Sequence, residues 1–342
     1  MTAIDQDSRI YVAGHRGLIG SAMFRRLEQA GYRQLITRDR AGLDLTDSPT
    51  TNRFFDENQP EYVILAAGHV GGIVENQRFP ADFIMANLAI QVNVLNAAKR
   101  TGVRRLIFFA SSCMYPRECP QPMAENALLT GRPESTSLSY AIAKLAGMQT
   151  CVANNLQEGI SRFIPLIPNS VYGPNDNFNP ESGHVLAALV RRFIEAERRQ
   201  LPDVTLWGTG QPRREFLFVE DLVDACLRLL SEDISNLELP VNLGSGIDYS
   251  IAELAEKISG LVGYKGKLLW DASKPDGSPQ KLLDSGRMTS WGWKANTCID
   301  DGLRKTIDWY RSRIDVDNYS EIANLSDISL QKPYDWQGFS PG

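Results

Sequence analysis

Tyr140 and Lys144 stand four residues apart in a helical pattern, which puts a phenol and an amine on one helix face, a single turn apart. A phenol with an ordinary pKa near ~10 is a poor proton shuttle at neutrality. An adjacent ammonium favours the phenolate, and a change of about three pH units asks for ~4 kcal/mol of differential interaction. Such a pair can hand a proton to a carbonyl oxygen. Ser111, at the end of the apolar run Leu106–Ala110, offers a hydroxyl to the same oxygen. Cys113 follows two residues later, where the strand delivers its side chain to the same cleft. A thiolate there can take a proton from a carbon beside a ketone, although cysteines also serve as small buried hydrophobes. His184, one of three histidines with His15 and His69, opens a helical stretch. It can return a proton near neutral pH or simply hydrogen-bond at the helix start.

These groups need a hydride source, and Gly14-His15-Arg16-Gly17-Leu18-Ile19-Gly20 points to one. This G-x-x-G-x-x-G lies between an expected strand and an expected helix. Glycines allow a tight turn and close approach of a pyrophosphate, and a helix N-terminus presents free N–H groups to it. The second strand ends in Thr37-Arg38-Asp39-Arg40. A carboxylate here would hold the ribose hydroxyls of NAD, whereas guanidinium groups suit the extra phosphate of NADP. Arg16, Arg38 and Arg40 against Asp39 favour NADP(H). Asp44 and Asp47 follow, and Asp47 could equally cap the next helix.

The elements that must position these residues alternate. Strand-like runs begin at Arg9, Leu35, Tyr62, Leu106 and Phe163, and helical patterns cover Leu18–Ala30, Asp82–Lys99 and Ala141–Asn155. Short apolar strands alternating with helices imply an α/β fold, a doubly wound parallel sheet of the Rossmann type. The alternation loosens after Tyr172, where an Asn-, Pro- and Gly-rich loop leads to a helix over Val185–Arg198. The expected organisation is a nucleotide-binding domain over 1–172 with 214–243 returning to it. A smaller α/β substrate-binding lobe takes 173–213 and 244–314, and 315–342 forms a tail.

Composition narrows the class. The 342 residues are 43% hydrophobic and 23% charged, which suits a globular protein. A net charge of -5 argues against a general nucleic-acid binder. No basic start with an apolar run and no bilayer-length apolar stretch is visible, so neither export nor a membrane is expected. The five cysteines, Cys113, Cys119, Cys151, Cys226 and Cys298, are scattered without a C-x-x-C pair. No metal site or disulfide framework is expected, and a reducing cytoplasm fits.

The glycine loop, the Ser-bearing strand end and Y-x-x-x-K, in this order, resemble the extended short-chain dehydrogenase/reductase superfamily. Longer strings sharpen the likeness: His15–Ser21, Val70-Gly-Gly-Ile73, Phe79–Ile84, Ser111-Ser-Cys-Met-Tyr-Pro116, Gln121–Glu125, Tyr172–Phe178, Trp207–Gly210, Arg214–Leu217 and Asp271–Gly277. Over roughly residues 9 to 312 the chain resembles the GDP-L-fucose synthase family. That resemblance implies an NADPH-dependent epimerase/reductase, with Ser111, Tyr140 and Lys144 for reduction, Cys113 as epimerisation base and His184 as acid. It implies cofactor contacts at Gly14 to Gly20, Arg38, Arg40, Asp44, Ala66, Ala67, Tyr140, Lys144, Pro168, Asn169, Ser170, Val171 and His184. Arg192, Trp207, Arg214 and Asp276 become contacts of a GDP-linked 4-keto-6-deoxy sugar. Superfamily dehydratases carry an acid near Ser111, and Ser111-Ser112-Cys113-Met114 has none. The family reads Pro-Thr-Asn where this chain has Pro168-Asn169-Ser170, a difference that bears on which sugar is accepted. The alternatives are a reductase or epimerase/reductase for another GDP-linked 4-keto sugar (a deoxyheptose or dideoxyhexose), a 4-epimerase that recycles NAD, and a non-catalytic NADP sensor. In this superfamily helices like Asp82–Lys99 and Tyr140–Asn155 pair as a four-helix bundle, so a homodimer is expected.

Overall fold

The computed structural model describes residues 4–179, 183–274 and 276–316. Most of the expected tail, from residue 317 on, lies outside the described residues. In chain order the elements are β1 (Arg9–Ala13), α1 (Leu18–Gln29), β2 (Gln34–Ile36), α2 (Ser48–Asn58), β3 (Tyr62–Leu65), α3 (Ile73–Arg78), α4 (Pro80–Arg100) and β4 (Arg105–Phe109). There follow α5 (Leu138–Glu158), β5 (Phe163–Pro168), β6 (Ser170–Tyr172), α6 (Val185–Arg198), β7 (Asp203–Trp207), β8 (Arg213–Phe218) and α7 (Val219–Ser231). The remainder are β9 (Val241–Leu243), β10 (Asp248–Ser250), α8 (Ile251–Val262), β11 (Lys267–Asp271), β12 (Gln280–Lys281), α9 (Gly286–Ser290) and α10 (Ile299–Val316).

The main sheet runs β2-β1-β3-β4-β5-β9, every pair parallel. Its inner strands are apolar without alternation because helices cover both faces. One face buries Met23 and Leu27 of α1 with Leu222, Cys226 and Leu229 of α7. The other buries Phe54 and Phe55 of α2, Val94 of α4 and Met148 of α5. Chain order reverses between β1 and β3, and such a reversal opens a crevice at the strands' carboxyl ends. Local chemistry sets the boundaries. Asp47 accepts a hydrogen bond from Thr50 N at 2.9 Å and caps α2, while Ser250 and Glu253 form a capping box for α8.

A second core packs Leu186, Val190 and Phe193 of α6 against Leu254 and Ile258 of α8 and Leu303 of α10. It lies over a small sheet of β10-β8-β12 with β6 beside β8, and over the β7–β11 pair. The segment expected to return whole to the main sheet divides. Helix α7 and strand β9 do return, but β8 pairs with β6, β10 and β12. The sheet changes because Asn169 separates β5 from β6, and β6 leaves the main sheet to give β8 a parallel partner.

Candidate active site

The glycine turn lies at the β1/β3 reversal. Gly14 has φ +81°, and an added Cβ would sit 2.7 Å from Ala67 N. A Cβ on Gly20 would sit 2.1 Å from Gly14 O. Both are therefore glycine because the protein closes on itself there. Gly17 differs: its Cβ would meet only Gly14 O, at 3.6 Å, an ordinary contact. Protein packing does not require that glycine, but close approach of a ligand would. Gly17 is also the N-cap of α1, and no side chain caps the helix. The first N–H groups of the helix thus have no side-chain acceptor, the condition in which a helix N-terminus can receive an anion. His15 has its Nδ1 buried without a hydrogen-bond partner, and Ala66 and Ala67 close the turn from the end of β3.

At the end of β2, Asp39 is already engaged. It pairs with Arg16 at 3.0 Å and accepts from Gly42 N at 2.9 Å. Arg38 packs its guanidinium 5.8 Å from the Phe54 ring centroid, and Arg40 lies 3.9 Å from Asp44. Asp44 in turn accepts from Thr46 N and Oγ1, which holds its carboxyl below the usual range. The residues present fit a phosphorylated ribose better than a bare diol, because the one carboxylate at the strand end is neutralised while Arg38 and Arg40 remain exposed.

Ser111 stands in extended conformation just after β4 and caps a short 3-10 turn over Ser112–Met114. Its oxygen accepts from Cys113 N at 3.4 Å, and it pulls both the Tyr140 phenol and the Cys113 thiol down against their burial, so one hydroxyl acts on the two reactive groups. Lys144, buried on α5, donates to Phe109 O at 2.8 Å and lies 5.7 Å from the Tyr140 ring centroid. Burial pulls its amine down to about 8. In the protein alone Lys144 is not among the groups that move the phenol, whose lowering was expected from Lys144 together with oxidised nicotinamide. Burial pushes Tyr140 up, the nearby Cys113 charge adds to that, and only Ser111 opposes. The protein keeps the phenol protonated, which is the state a proton donor needs before hydride arrives. Cys113 is likewise pushed up by burial, against Ser111, Lys281 and Lys144, which pull it down.

His69, whose role the sequence left open, backs this cluster. Asn87 clamps its backbone at 3.1 and 2.9 Å. Its ring meets Phe83 edge-on at 4.3 Å, and Phe83 meets Tyr140 edge-on at 6.2 Å. His184 is the N-cap of α6, exposed, and surrounding protein pulls its imidazole down. Among the described residues no hydrogen bond ties His184 to Ser111 or Cys113.

Asn169, read as a cofactor contact, has its side chain turned inward. Its Oδ1 accepts from Ser112 Oγ at 3.1 Å, and its Nδ2 donates to Glu215 Oε2 at 2.7 Å and Lys281 O at 3.2 Å. Glu215, fully buried, also accepts from Leu283 N and Gly246 N. Pro168 ends β5, while Ser170 and Val171 open β6. Sequence reasoning missed Glu215 and Lys281. Glu215 had one available signal, a carboxylate at an inward position of an apolar strand; Lys281, in a two-residue strand, had none.

The remaining residues gather on the small lobe. Arg192 donates to Thr205 O of β7 at 2.9 Å. Trp207, at the end of β7, is 58% exposed with Lys274 Nζ 5.7 Å from its ring centroid, so an indole face is available for stacking. Arg214 donates to Ser278 O at 2.7 Å. Asp276 accepts from Thr209 N and Oγ1 at 3.0 and 2.7 Å, which makes it a brace for the loop after β7. Burial pulls both Arg192 and Arg214 down, a condition an anionic ligand would relieve. The lobes also meet directly, since Asn175 Nδ2 donates to Arg16 O at 2.9 Å. Among the described residues there is no cluster of metal-ligating side chains, and no helix is long and apolar enough to cross a membrane.

A glycine turn at the sheet reversal, and a serine, tyrosine and lysine at the neighbouring strand end, define a nucleotide-dependent oxidoreductase of the short-chain type. The chain belongs to the NAD dependent epimerase/dehydratase family, whose model matches residues 10–244. Within it the chain is 50% identical over 310 residues to "GDP-L-fucose synthase 1" of Arabidopsis thaliana, covering 91% of this chain and 95% of that one. A GDP-6-OMe-4-keto-L-xylo-heptose reductase from C. jejuni superimposes with TM-score 0.86 at 34% identity, covering 91% of this chain and 99% of that one. A GDP-L-fucose synthetase from Naegleria fowleri bound to NADP superimposes with TM-score 0.83 at 26% identity, covering 92% and 97%.

Proposed function

We propose that this chain is an NADPH-dependent epimerase/reductase that converts GDP-4-keto-6-deoxy-D-mannose to GDP-L-fucose. One observation carries the reading: Ser111 stands at the strand end beside Cys113, accepting from its N–H at 3.4 Å, and acts on both the Cys113 thiol and the Tyr140 phenol, so proton abstraction and proton donation can address one carbonyl. A ketone acidifies the C–H bonds on either side. Cys113 takes the proton, Ser111 and Tyr140 hydrogen-bond the enolate oxygen, and His184 returns a proton to the opposite face. When bound, NADPH supplies the hydride that reduces the keto carbon. Tyr140 then gives its proton to the alkoxide, and Lys144, held by Phe109 O, offsets the phenolate left behind. Gly14 to Gly20, with Arg16, Arg38 and Arg40, would hold the dinucleotide. Trp207 stacks the base, and Arg192 and Arg214 meet the diphosphate.

The test is to supply GDP-4-keto-6-deoxy-D-mannose with NADPH and identify the sugar. GDP-L-fucose is expected. Cys113→Ser should lose deuterium exchange from solvent at the carbons flanking the ketone while still binding NADPH. Wild-type GDP-L-fucose production by that variant would overturn the assignment of the base. The likeness to the heptose reductase keeps a second GDP-linked 4-keto sugar as the alternative product to look for.

The same reading extends to assembly. Helices α4 and α5 pack on each other and leave Met85, Val92, Ile142 and Leu156 exposed. A homodimer joined by four helices would cover part of this surface, and a monomer by light scattering would exclude it. Free cysteines, two of them buried, suit a reducing cytoplasm.

A further inference from the structure

The Cys113 sulfur must ionise to act as a base, yet burial favours the thiol. Lys144 is committed to Phe109 O. Lys281 is different. Its ammonium has no hydrogen-bonded or ion-paired partner among the described residues, although its backbone is tightly placed. Strand β12 pairs with β8 in parallel register, Lys281 opposite Arg214. The Asn169 amide then grips two segments at once, Ser112 Oγ at 3.1 Å and Lys281 O at 3.2 Å. Ser112 is the residue before Cys113, so a single buried amide fixes the thiol-bearing turn relative to the lysine-bearing strand. Between them lies a cavity of about 10 Å³, lined by Ser112, Glu134, Ser278 and Lys281, with room for about one water.

We propose that Lys281 is the positioning residue that favours ionisation of Cys113 against the burial that opposes it, acting through the sulfur. The inference rests on Cys113 being the epimerisation base. The other groups facing the sulfur are the Ser111 hydroxyl, Lys144 and Tyr140 from α5. Those facing Lys281 are Arg214 from β8, which opposes its charge, and Glu134, which favours it. Glu134 is itself drawn outward to Arg117 at 3.5 Å and bonded to Ser135. The Lys281 amine, pulled below its usual range by burial, gains from an anion beside it.

The test needs no sugar. Alkylation of Cys113 by iodoacetamide is followed from about pH 6 to pH 10, a span that covers ordinary thiol ionisation. It is read by mass on the tryptic segment Leu106–Arg117, which contains no other cysteine. Lys281→Met should slow the reaction about tenfold near neutrality, with the gap closing as pH rises. Lys281→Arg, which keeps the charge, should restore most of the rate. Superimposable profiles for wild type and Lys281→Met would overturn the proposal, as would Lys281→Arg behaving like Lys281→Met. Because no nucleotide sugar is present, the measurement stands apart from the product test: a chain that made another sugar could still show the effect.

Discussion

At the glycine turn the protein offers backbone. Gly14 and Gly20 are fixed by contacts within the chain, Gly17 is left open, and the uncapped start of α1 supplies the donors. In the small lobe the proposed sugar site draws on side chains from α6, the end of β7, β8 and the loop after β11: Arg192, Trp207, Arg214 and Asp276. The two halves fail differently as a result. A backbone site is lost when a Cβ intrudes, whereas a side-chain site is weakened one contact at a time.

The harshest way to break this contrast is Gly20→Val. With Gly14 O in the path of its Cβ, the variant should lose at least about 4 kcal/mol, enough to abolish folding in a marginal background. A thermal melt reads it. Gly17→Ala should keep its melting temperature within a few degrees while NADPH affinity falls about tenfold by titration fluorescence; equal damage from both substitutions would erase the distinction. Next in size is Tyr140→Phe, expected to lower single-turnover reduction by about 10²- to 10⁴-fold with NADPH binding retained. Arg40→Ser should follow, shifting preference from NADPH toward NADH by about tenfold without changing the melt.

The smallest effect is a pH dependence. Lys144 is pulled down to about 8 from an ordinary 10.5. Between those values the unfolded chain binds more protons at this position than the folded one, so this residue's contribution to stability rises with pH across that window. Below about 8 both states are protonated and the burial cost is fully present. The melting temperature of wild type relative to Lys144→Met should therefore climb from pH 8 to pH 10, and a flat difference would contradict the burial of a charged amine.

How much of this could be read beforehand follows the same divide. The turn at Gly14–Gly20 sits between β1 and α1, and Ser111 and Cys113 sit at one strand end, so local pattern located them. The parallel sheet was legible because strands buried on both faces read as unbroken apolar runs. Partner choice was not legible. Nothing in Arg213–Phe218 says that it pairs with β6 rather than the main sheet, because that pairing depends on where a distant strand leaves off. Asn169 was read as a cofactor contact, but its side chain faces inward because Glu215 and Ser112 lie there to receive it. A two-residue strand such as Gln280–Lys281 carries no period at all, and Lys281 looks like any loop lysine until the fold sets it next to Ser112.

On the roles proposed above, the shared Ser111 hydroxyl makes the two chemistries unequal in how easily they can be shed. Replacing the sulfur two residues on would silence carbon inversion and leave ketone reduction running. No change at the serine could do the same, since it serves both. Descendants of such a scaffold can become simple reductases in one step, whereas a pure isomerase would have to disarm Tyr140 while keeping the oxygen that steadies it.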